Sequence, residues 1–98
     1  MLNRLLAFFF LFSVNLFSQG IVIDSNGTCN CPSAAVGDTA TISGTLYTVV
    51  DNTSITTQVA AANYNLCTTL VTNMEDLFFD NTSFNSDISF WDTSNVTN

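Results

Sequence analysis

The chain has 98 residues and a formal net charge of −7, with eight Asp and Glu, one Lys or Arg, and no His. Its one cation is Arg4, so nothing beyond it can neutralise a phosphate. Nucleic-acid binding and attachment to anionic membrane surfaces are thereby excluded, and the polar, lysine-free remainder suits an extracellular, soluble surface.

Arg4 and the apolar run Leu5 to Phe17, interrupted only by Ser13 and Asn15, predict a secretory signal peptide over 1–18. The run is too short to span a bilayer comfortably, although a short membrane anchor is the alternative. Cleavage after Ser18 would leave Gln19 first, with no stable membrane span afterwards. Cys29 lies too far downstream to receive a lipid at such a cut. Five of the nine Phe precede Ser18, so the hydrophobic fraction of 47% overstates the mature part. Disorder competes as a reading of so Ser/Thr/Asn-rich an acidic chain. The regular placement of Ile, Val, Leu, Phe and Trp argues against it.

Residues 19–66 read as a leader. Gln19 to Gly37 is expected to be irregular, with a turn at Asp24-Ser25-Asn26-Gly27 and Pro32 in a loop. Asp24-x-Asn26-Gly27 matches part of a calcium loop but lacks its terminal acidic ligand. Two β-rich runs, Thr39 to Ser43 and Thr45 to Val50, joined through Gly44, predict a hairpin. Asp51-Asn52-Thr53-Ser54 then offers cap chemistry for a helix whose apolar face is Ile55, Val59 and Ala62, ending near Asn63.

Export would permit disulfides among Cys29, Cys31 and Cys67. A bridge from Cys67 to either Cys29 or Cys31 would close a loop of about 36 to 38 residues and contribute ~3–4 kcal/mol. The third cysteine is then odd. A metal site is disfavoured, because Cys-x-Cys with one distant Cys lacks a fourth ligand.

Val71-Thr72-Asn73 recurs 25 residues later as Val96-Thr97-Asn98, and Thr68 and Thr69 align with Thr93 and Ser94. A fixed period in the twenties predicts stacked turns of a solenoid. Thr72 and Glu75 have capping-box spacing for a short helix from Asn73 to about Phe79, with Met74, Leu77 and Phe78 on one face. Glu75 and Asp76 would complement that helix's dipole. After a turn at Asp80 to Ser83, Phe84, Ile88 and Trp91 would enter the core from a strand around Asp87 to Trp91, with Asp87 and Asp92 outside. The expected fold is α+β. An N-terminal cap of β-hairpin plus helix leads into a solenoid of short strands and helices over 67–98, with one full repeat at 71–95. Asn73 and Asn98 would bond backbone groups in successive turns. A stripe of Asp87 and Asp92 could draw calcium between like charges. The whole is expected to be the front end of a longer repeat protein.

From Val71-Thr72-Asn73-Met74-Glu75-Asp76-Leu77-Phe78 through Ser83-Phe84-Asn85 and Asp87-Ile88 to Trp91-Asp92 and Val96-Thr97-Asn98, the chain resembles the BspA-like leucine-rich-repeat surface proteins. The segments Val36 to Asn52 and Leu66-Cys67-Thr68 look similar to the leader introducing such arrays in secreted Bacteroidetes-like proteins. The resemblance implies a leucine-rich-repeat-like solenoid, a secreted or outer cell-surface location, and adhesion to a protein or glycan on another surface. It carries no catalytic, cofactor-binding or metal residues. Enzymatic function is not expected: Glu75 and Asp76 are adjacent and cannot face each other as a glycosidase pair would. The alternative is a targeting and capping segment of a larger exported protein whose activity, hydrolytic or otherwise, lies downstream.

Overall fold

Ile21-Val22-Ile23 is a β-branched run ending in the turn formers Asp24 to Gly27, and it folds back on itself. The computed structural model describes residues 20–98, so the expected signal peptide and Gln19 lie outside the described residues. Strand β1 (Val22–Ile23) pairs antiparallel with β2 (Cys29–Asn30). The Asp24 carboxylate closes the turn, accepting the Asn26 and Thr28 N–H groups at 2.8 and 3.1 Å and the Asn30 side-chain amide at 2.7 Å. Within the segment expected to be irregular, residues 22–30 thus form a small hairpin around the expected turn, while 31–37, with Pro32, stay without helix or strand. Asp24 is filled by donors rather than free to ligate calcium.

Strands β3 (Thr39–Ile42) and β4 (Thr45–Val49) form the second hairpin, with Ile42 opposite Thr45. The two-residue loop Ser43-Gly44 has φ of 53° and 86°. Positive φ at both positions is what a type I′ turn requires, and glycine meets that demand without strain. Strand β5 (Leu66–Cys67) then joins β4 in parallel, giving the order β3-β4-β5.

Helix α1 (Ser54–Ala60) makes the crossover between those parallel strands, burying Ile55 and Val59. Its cap is Asp51, whose Oδ1 accepts the Thr53 and Ser54 N–H groups at 3.0 and 2.8 Å while Ser54 Oγ accepts the Asp51 N–H. This reciprocal arrangement satisfies donors that the first turn would otherwise leave open. The helix stops before Asn63 because Ala62 turns left-handed at φ 60°. Asn63 N–H bonds Gln58 O and Ala62 N–H bonds Val59 O, both at 2.9 Å, which is a Schellman closure with alanine where glycine is favoured. Ala62→Gly is therefore expected to stabilise the protein by ~1 kcal/mol, read as a higher urea midpoint at unchanged m-value.

Strand alternation creates two cores. Val49 and Val50 are adjacent and fully buried, as are Leu66 and Cys67, yet each pair divides between opposite faces. One face gathers Val50, Ile55, Val59, Leu66, Val71 and Trp91. The other gathers Ile21, Cys29, Cys31, Val49 and Cys67.

The expected leucine-rich-repeat-like solenoid is not formed. The described residues make one short helix and two small sheets, and 68–98 hold neither helix nor strand. The predicted helix from Asn73 to Phe79 is replaced by turns, with Leu77 N–H bonding Met74 O and Phe79 N–H bonding Asp76 O. Asp76 and Asp80 adopt φ of 60° and 62°, and a left-handed residue breaks the ladder that a helix needs. The Thr72–Glu75 capping box is absent; Asn73 Oδ1 takes the Glu75 N–H instead, at 2.8 Å. A segment this short gains too few helical bonds to outweigh such local alternatives. The predicted strand from Asp87 to Trp91 is also absent, because Asp87 Oδ1 takes the Ser89 N–H and Trp91 N–H bonds back to Ile88 O.

The 25-residue sequence period nonetheless corresponds to contact between its copies. Thr97 N–H bonds Thr72 O at 2.8 Å, and the Asn95 amide reaches Thr69 O at 2.8 Å. Asn52 holds the preceding pass, its Oδ1 accepting the Thr72 and Asn73 N–H groups while Nδ2 donates to Thr72 Oγ1. The cross-pass role expected of the Asn73 side chain thus belongs to Asn52. Asn98 meets its neighbour through its main-chain carbonyl, which accepts the Met74 N–H at 2.7 Å.

Candidate binding cleft

The left-handed residues that end the helical path of 74–80 also shape a wall. Asp76 and Asp80 bracket Phe79 and throw it outward, 74% exposed, against the usual preference of so large an apolar ring. Opposite stand Thr56, Val59 and Ala60 of α1, with Ala62 and Tyr64 at the end. Between the walls lies an open cleft of about 620 Å³, also lined by Glu75, Leu77, Asn81 and Ser83.

Its wall is held from behind by an aromatic stack. Phe78 and Phe84 lie 4.2 Å apart at 28°, Phe84 meets Tyr64 edge-on at 5.0 Å, and Phe78 stacks 6.0 Å from Trp91. The Trp91 indole N–H donates to Tyr64 O at 3.0 Å, tying the stack to the loop after α1. Edge and offset contacts of this kind add to plain burial. Glu75, Asp76 and Asp80 then present three carboxylates beside an exposed ring, and residues 20–98 contain no Lys, Arg or His to neutralise them. Chemically, the cleft can attract a cation and cover an apolar or aromatic group.

The expected structural residues fall into distinct environments. Val71 and Trp91 are buried, and Met74, Leu77, Phe78 and Ile88 pack partly buried against the same core. Phe84 joins through Phe78 and Tyr64, while Thr72 and Asn73 are exposed and held by Asn52. Asp87 is exposed as expected, but Asp92 is buried, so the two do not form a common acidic stripe. Among the described residues, no three His, Cys, Asp or Glu side chains are grouped to hold a metal ion. The sequence leaves Tyr64 unmarked, and it marks Asn52 only as part of a helix cap and Phe79 only as the end of a short helix. Only the oddity of Phe78-Phe79 in a polar stretch could have pointed to an exposed ring.

Cys29, Cys31 and Cys67 are all completely buried as free thiols on the other face, so the expected bridge is not formed in this structure. The Cys67 thiol is pushed up to about 12, first by its hydrogen bond with Cys29 and then by burial. That of Cys31 is also raised, first by its bond with Cys67 and then by burial. Neither supplies a thiolate nucleophile at neutral pH. A buried polar relay lies alongside: Cys31 N–H donates to Thr69 Oγ1 at 3.0 Å, and that hydroxyl donates to Asp92 Oδ2 at 2.8 Å. The main-chain carbonyl of Asp92 accepts the Thr68 hydroxyl at 2.9 Å.

A family model described as "Mycoplasma protein of unknown function, DUF285" matches residues 45–98. Searches of curated proteins and of solved structures returned no match. The matched stretch begins with β4 and takes in α1, β5, both copies of the repeat and every residue lining the cleft. As it spans more than half of the sequence, the chain belongs to the DUF285 family.

Proposed function

We propose that this chain is a non-catalytic contact module of a secreted or cell-surface protein, and that it docks a cation-bearing segment of a protein partner in the cleft between α1 and residues 75–83. One observation carries the reading: Phe79 stands 74% exposed among Glu75, Asp76 and Asp80 on a wall braced by packed aromatic rings. Exposed aromatics on rigid supports are the usual anchors of binding surfaces, and a Lys or Arg can lie over the ring while its charge meets the carboxylates. The surface setting is supported by membership of DUF285 and by the resemblance of residues 71–98 to BspA-like surface proteins. No helix among the described residues is long and apolar enough to cross a membrane.

Titration of the protein with a Lys/Arg-bearing peptide, an acidic peptide and a neutral oligosaccharide tests this by calorimetry. The basic peptide is expected to bind, more weakly as salt rises, because exposed charges are screened beyond about 10 Å at 0.1 M. Phe79→Ala should weaken that binding about tenfold or more while leaving the urea midpoint unchanged, since the ring is solvent-exposed. Saturable binding of the oligosaccharide alone would assign the cleft to glycans. Equal affinity of wild type and Phe79→Ala would remove the cleft from the argument altogether.

A further inference from the structure

Strand β2 ends at Asn30 and Cys31 follows it directly; side-chain alternation carried one residue past the strand sends residues 29 and 31 to one face and Asn30 to the other. The burial follows it, with Cys29 and Cys31 fully inside and Asn30 partly exposed. On that inner face they meet Cys67 of β5, also fully buried, in one cluster with Ile21 and Val49. Strand β2 packs directly against β5, which brings the Cys29 and Cys31 side chains to the buried face that Cys67 occupies. Their main chains are fixed independently: Cys29 pairs with Ile23, the Cys31 N–H is held by Thr69, and Cys67 pairs with Val49. Cys67 is thus a common neighbour of two thiols presented side by side.

We propose that Cys67 is a shared disulfide partner, so that each oxidised chain carries one bridge, Cys29–Cys67 or Cys31–Cys67, and one remaining thiol. Either bridge ties the β1–β2 hairpin to β5, the same junction that the Cys31–Thr69–Asp92 relay secures without covalent bonds. The oxidant is a small disulfide such as oxidised glutathione. One cysteine thiolate attacks it, its S–S bond breaks, and one glutathione thiolate leaves. The second cysteine attacks the protein-side sulfur of the mixed disulfide and expels the other glutathione. Two protein sulfurs are oxidised, two glutathione sulfurs are reduced, and the two cysteine protons end on the glutathione thiols. Complete burial shields the thiols in the folded chain, so the reaction runs during folding, before the cluster closes.

Refolding of the full-length protein and of Cys29→Ser, Cys31→Ser and Cys67→Ser in a glutathione redox buffer tests this, followed by alkylation and mass mapping after cleavage at acidic residues. Wild type is expected to show one alkylated cysteine per chain and both bridges to Cys67. Cys29→Ser and Cys31→Ser should each keep a bridge, and Cys67→Ser should have two alkylated cysteines. Reducing the wild-type bridge should lower Tm by more than about 10 °C. Three alkylated cysteines in refolded wild type would overturn the proposal, as would an exclusive Cys29–Cys31 bridge. Loss of all bridging in either Cys29→Ser or Cys31→Ser would overturn the sharing. No outcome depends on the cleft or on what it binds.

Discussion

Trp91→Ala is expected to cost ~3–5 kcal/mol, the usual range for removing a buried tryptophan. The side chain is only 6% exposed and stacks on Phe78, with Val50, Ile55, Leu66 and Val71 in the same core. Small domains hold roughly 4–12 kcal/mol in total, so the variant should be largely unfolded or reach its midpoint in very little urea. Trp91→Phe separates packing from polarity. It keeps most of the ring but leaves Tyr64 O without the indole N–H at 3.0 Å, for an expected loss of ~1–2 kcal/mol. Far-UV circular dichroism is the readout, because Trp91 is the only tryptophan and fluorescence vanishes with it. A near-wild-type midpoint for Trp91→Ala would mean that the aromatic stack does not organise residues 74–91.

Trp91 also shows where sequence reading succeeds and where it fails. A lone tryptophan among Ser, Thr and Asp announces burial whatever backbone carries it, and the cores largely follow such apolar marks. The second hairpin was legible for a related reason: β-branched runs around Ser43-Gly44 allow one tight turn, and that turn sets the register from Ile42 opposite Thr45. Regular structure beyond β5 was misread because apolar spacing was treated as periodicity. Met74, Leu77 and Phe78 have helical spacing, yet Asp76 and Asp80 turn left-handed and local Asx bonds displace the helical ones. Aspartate and asparagine make such bonds within two residues, so a chain this rich in them can satisfy its backbone without helix or strand. The first hairpin was missed by the converse error, since only two residues of each strand pair. The cleft was illegible because it depends on where those turns throw Phe79. The shared position of Cys67 depends on β4–β5 register, which no spacing of cysteines encodes.

Asp92→Ala should cost ~3 kcal/mol, the second large effect among point variants, and Asp92→Asn ~1–2 kcal/mol. The carboxylate accepts the Thr69 hydroxyl at 2.8 Å and the Ser94 N–H at 3.0 Å from a site only 7% exposed. Alanine orphans both donors, whereas asparagine can still satisfy one. Burial by itself would raise the pKa of Asp92. The hydrogen bonds from Ser94 and Thr69 lower it by more, so the carboxyl titrates below its ordinary range in the folded protein. A depressed folded pKa stabilises fully above the unfolded value of about 3.9. That share is lost as pH falls through the lower folded value. Asp24, Asp51 and Asp87 are shifted the same way, chiefly by backbone N–H donors at Thr28, Ser54 and Ser89 respectively. Acid should therefore lower the wild-type urea midpoint below about pH 4, and Asp92→Asn should fall less steeply over that window. Parallel slopes would show that Asp92 is not held down in the folded state. Because Thr69 also receives the Cys31 N–H, releasing its hydroxyl from Asp92 should loosen the first hairpin before the rest. Faster hydrogen exchange at the Cys31 amide in Asp92→Ala, with the Thr48 and Val49 amides of β4, bonded to Asn65 O and Asp38 O, still protected, would locate that coupling.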